Sequence, residues 1–67
     1  MTKQEMLNTL QREYQLAHKI TDKLWEEYLE TENATKRKAL REERKAWLYV
    51  GMELRDILKK FGVEVVS

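Results

Sequence analysis

The chain has no cysteine, no proline, one histidine and only two glycines, Gly51 and Gly62. Without cysteine there is no disulfide and no thiolate to hold a metal, an absence that fits a cytoplasmic protein. Without proline, and with no glycine in the first fifty residues, nothing forces a helix to break there. The only serine is the last residue, so no serine or cysteine nucleophile can be set beside a base. Two isolated glycines form no phosphate-binding loop. Carboxylates such as Glu26 and Glu30 lie one turn apart on a helix, with no pocket to desolvate them and separate their acidities. No catalytic, cofactor-binding or metal-binding residue is assigned, and the chain is not expected to be an enzyme.

Neither sign of charge dominates. Thirteen Lys and Arg oppose twelve Asp and Glu, a net charge of +1, which gives no whole-chain argument for nucleic acid or membrane. The longest apolar run, Ala46 to Met52, is too short to span a bilayer. The opening Met1-Thr2-Lys3-Gln4-Glu5 lacks the apolar stretch of a signal peptide. A soluble cytoplasmic protein with no membrane contact is the expectation.

What the sequence has is apolar residues at helical spacing. At about 100° per residue, Met6, Leu7, Leu10, Tyr14, Ala17, Ile20, Leu24, Trp25 and Tyr28 fall on one broad stripe, flanked by Leu16 and Leu29. Within it Leu7, Leu10, Tyr14, Ala17, Thr21, Leu24 and Tyr28 alternate steps of three and four, as a coiled-coil seam does. Thr2 and Glu5 have capping-box spacing, which starts the first helix at residue 3. Thr31-Glu32-Asn33-Ala34-Thr35 is the candidate turn, since Asn tolerates the left-handed conformation and Thr can cap the next helix. One helix running through it is the structural alternative.

The second helix carries Ala39, Leu40, Ala46, Trp47, Val50, Leu54, Ile57, Leu58 and Phe61 on one stripe, with Trp47, Val50, Leu54, Ile57 and Phe61 as its seam. Gly62 is the expected C-terminal glycine, with Val63 packing back on the last turn. Gly51, costly inside a helix, implies the close approach of a backbone or ring. The expected architecture is all-α: one domain over residues 1–67, with helices at 3–32 and 35–61, a turn at 31–35 and a tail at 62–67. A chain of 67 residues removes only ~60% of its unfolded surface from water. Two helices meeting along one seam leave little core, so the antiparallel hairpin is expected to dimerise into a four-helix bundle.

Two surfaces on the second helix are candidates for function. Ala46 to Met52 is apolar all the way round, and Leu48 and Met52 point away from the expected seam. A dimer or second bundle layer would cover them; the alternative is a docking patch for a partner protein, made by Leu48, Tyr49 and Met52 and rimmed by Arg44, Lys45 and Arg55. The other surface is basic: Arg37, Arg41, Arg44 and Lys45 cluster, and Arg55 and Lys59 extend the stripe, a pattern suited to phosphate contacts. These cations oppose the helix macrodipole, as do Asp22, Glu26, Glu27, Glu30 and Glu32 at the end of the first helix. Pairing across an antiparallel hairpin would account for both clusters. His18 has Asp22 one turn later as a weak partner, and no further ligand completes a metal set.

The opening Met1 to Glu5, the length, the hairpin pattern and the late Phe61-Gly62 are similar to the Rop family of plasmid RNA-binding proteins. That resemblance implies a dimer of helical hairpins. In the family an aromatic residue on helix one and flanking polar residues contact paired RNA loops; Lys3 and Tyr14 match here, whereas Leu10 and Trp25 stand where polar contacts would be expected. The function expected from the residues is a small intracellular regulatory module, of a kind common in phages and bacteria, that docks a helical surface on a partner protein. The alternative is a dimeric nucleic-acid-binding protein using the basic face.

Overall fold

In the computed structural model, which describes residues 2–64, the chain forms two helices packed as an antiparallel hairpin. The first, α1, spans Lys3–Glu30, and the second, α2, spans Ala34–Lys60. The Thr2 hydroxyl caps α1 by accepting from the Glu5 backbone N–H at 3.1 Å. The turn is shorter than expected. Asn33 does not adopt a left-handed conformation: it is extended (φ −74°, ψ 117°), and its side chain caps α2 by accepting from the Lys36 N–H at 3.0 Å. That cap, rather than Thr35, starts the second helix and rules out one continuous helix.

At the other end, Gly62 has φ +76°. The Val63 N–H donates to the Leu58 carbonyl and the Gly62 N–H to the Lys59 carbonyl, both at 3.0 Å, which is the Schellman closure. Val63 packs onto a core of Leu7, Tyr14 and Leu58, joined by Leu10 and Leu54. The tail positions Val65 to Ser67 lie outside the described residues. No helix among the described residues is long and apolar enough to cross a membrane.

The seam of α1 follows the sequence pattern. Leu7, Tyr14, Ala17, Thr21 and Leu24 are buried, and the Thr21 hydroxyl satisfies itself by donating to the Ala17 carbonyl at 2.8 Å. On α2 the seam differs from the expected one. Leu40 and Leu58 are buried and Trp47, Gly51 and Leu54 half-buried, whereas Val50, Ile57 and Phe61 remain exposed at 42%, 39% and 43%. The contact line therefore runs through positions 40, 44, 47, 51, 54 and 58, again alternating steps of four and three. Trp47 and Leu54 belong to either line. The line through Leu40 and Leu58 also buries the aliphatic stems of Arg44 and Arg55.

Candidate functional site

Flanking positions on α2 fall on opposite sides of this seam. Leu48 and Arg55, seven residues apart, line one side; Val50 and Ile57 line the other. Because the helices are antiparallel, each side joins a particular edge of α1. The Leu48 side meets the edge bearing His18, Asp22 and Trp25; the Val50 side meets the edge bearing Met6, Glu13, Ile20 and Glu27.

On the Leu48 side the helices leave a groove of about 280 Å³. Its floor is Ala17, Thr21 and Gly51, its apolar walls are Tyr14, Trp47, Leu48 and Met52, and Arg44 and Arg55 also line it. Leu48 and Met52 are 41% and 51% exposed; they border the interhelical groove rather than pointing away from α1. Tyr49 is exposed, lies on the far side of α2 and does not line the groove. The Nε atoms of Arg44 and Arg55 are buried with no hydrogen-bond partner.

Gly51 explains why the groove exists. A Cβ built there meets nothing within 4 Å, so no backbone or ring approaches, contrary to expectation. The missing side chain opens space instead of making room for a neighbour. Gly51→Ala should therefore stabilise the hairpin by up to ~1 kcal/mol through helix propensity, read as a raised thermal midpoint. A lowered midpoint would show that the helix needs glycine for another reason.

The charges do not pair as expected either. Among the described residues the one contact within 4 Å between a basic and an acidic side chain is His18 Nδ1 to Asp22 Oδ2 at 3.6 Å, on the surface. The arginines turn to aromatic rings instead: Arg37 lies 4.4 Å from the Tyr28 centroid and Arg44 4.8 Å from that of Trp25. Those rings stack at 5.4 Å, 12° from parallel. Trp25 and Tyr28 sit at the seam edge, closer to α2 than the outward Glu26 and Glu30, and a cation over an exposed ring gains about as much as a surface ion pair. Nothing in the composition alone distinguishes these outcomes, although the Trp25, Tyr28 spacing sets both rings beside the hairpin's cations.

The remaining basic residues share the Leu48 side. Arg41, Lys45 and Lys59 repeat at seven-residue spacing with Leu48 or Met52, so this side carries them with Arg44 and Arg55 against Asp22. The Val50 side is mixed and holds more carboxylates: Glu13, Glu27, Glu43 and Glu53 share it with Ile20, Val50 and Ile57, and Lys23, Lys36 and Lys60 are its cations. Tyr14 is buried in the core, while Lys3 lies over the Phe61 ring at 5.6 Å. No group of three or more potential metal ligands occurs among the described residues. No family model, curated protein or solved structure matches the chain.

Proposed function

We propose that this chain is a small, intracellular, non-catalytic regulatory module that pairs with a second copy into a four-helix bundle and acts by docking the Leu48 surface of α2 on a protein. The groove beside Gly51 carries this reading. Leu48 and Met52 line it with Arg44 and Arg55, Lys45 lies on the same side of α2, and burying a Leu or Met side chain fully is worth ~1.5–3 kcal/mol. A variant with Leu48→Glu and Met52→Glu should keep the thermal midpoint of the single hairpin, measured at concentrations where the native chain is monomeric, yet lose the proteins that the native chain retains on an affinity column. Retention of the same proteins by that variant would rule out the docking surface.

The nucleic-acid reading draws on the same cations, since Arg41, Arg44, Lys45 and Lys59 share one side of the hairpin. The apolar centre of the groove favours a protein, because phosphate contacts need no Leu48 or Met52. With Arg37 and Arg44 already set over rings, the freely exposed part of the basic stripe is Arg41, Lys45 and Lys59.

A further inference from the structure

We infer that the occupant of the Gly51 groove is a second copy of this chain, seated by its acidic Val50 side. The inference rests on reading the Leu48 surface as a protein-docking site and names what docks there.

Both sides of the hairpin leave apolar side chains in water. Leu48 and Met52 do so on one side, Val50, Ile57 and Leu16 on the other. A symmetric pair through the Leu48 side would crowd Arg41, Arg44 and Arg55 of both copies into one interface. The Val50 side, with Glu13, Glu27, Glu43 and Glu53 beside Lys23, Lys36 and Lys60, is the side that offers carboxylates to those arginines. Like charges facing across an interface are strongly disfavoured. Laying the Val50 side of one copy on the Leu48 side of the next removes that conflict. It brings aliphatic side chains to the open space above Gly51 and carboxylates to the side that carries Arg41, Arg44 and Arg55. The first two copies make four packed helices. Because the contact joins two different surfaces, further copies can add unless the arrangement closes into a ring.

Complementation tests this by sedimentation velocity, with helix content checked by circular dichroism. One variant, Leu48→Glu, disables the basic side; another, Val50→Lys with Ile57→Lys, disables the acidic side. All three positions are exposed in the hairpin, and Met52→Glu and Leu16→Lys are the substitutes if either variant fails to fold. The native chain should grow beyond a dimer as concentration rises, and less so at high salt. Each variant alone should stay monomeric, and their equimolar mixture should form a dimer and nothing larger. Gly51→Leu should keep the hairpin and abolish association.

Either variant dimerising alone would establish a symmetric interface and overturn the inference, as would a mixture that stays monomeric. A native chain that remains monomeric also overturns it. If that monomer still retains other proteins through Leu48, the docking reading stands without a second copy as occupant. If it retains none, both fail.

Discussion

Leu58→Ala should lower the stability of the hairpin by about 3 kcal/mol, within the ~2–5 kcal/mol range for truncating a buried leucine. Leu58 is the one large side chain among the described residues with no exposure at all, and it joins Leu7 and Tyr14 in the core cluster. Leu10, Leu54 and Val63 pack against that cluster, so removing the leucine also loosens the closure at the end of α2. A core this small rarely supplies more than ~3–5 kcal/mol, so the loss is comparable with the whole stability. The measurement is the urea or thermal midpoint followed by circular dichroism, with substantial unfolding expected even without denaturant. Leu48→Ala is the control at concentrations where the chain is monomeric: there an exposed leucine should cost less than ~1 kcal/mol. Equal losses at the two positions would mean that the core does not centre on Leu58.

The hairpin was legible because local signals agreed with one another. The seam spacing of α1, the Thr2 cap and the Gly62 ending each have a single structural solution, and the structure adopts it. The register of α2 was not legible, for a reason visible in its residues. Trp47 and Leu54 fit two contact lines, one continuing through Val50 and Ile57 and the other through Leu40, Gly51 and Leu58. Apolar counting favours the first, because it scores a glycine and an arginine as surface. Packing follows the second, with Leu40 and Leu58 buried at its two ends and the stems of Arg44 and Arg55 covering the middle. The site was correspondingly half legible. Leu48, Met52, Arg44 and Arg55 do come together, but only the true register shows that Gly51 hollows the space between them and that Tyr49 stands apart. The charge clusters were visible as clusters. Their partners were not, since rings and carboxylates compete for the same arginines at similar energies.

A carboxylate placed on each contact line should separate the two registers more sharply than any truncation. Leu54→Asp puts a charge against the Leu7, Tyr14 and Leu58 cluster, and desolvating it should cost several kcal/mol. That variant should lose most of its helical signal at room temperature. Val50→Asp, four residues earlier, places the same charge at a site 42% exposed in the single hairpin. Its helical signal and thermal midpoint should stay close to those of the native chain at concentrations where the chain is monomeric. Unfolding by Val50→Asp with Leu54→Asp tolerated would return the seam to the line through Val50 and Ile57. It would also put the groove beside Gly51 on the outside of the hairpin.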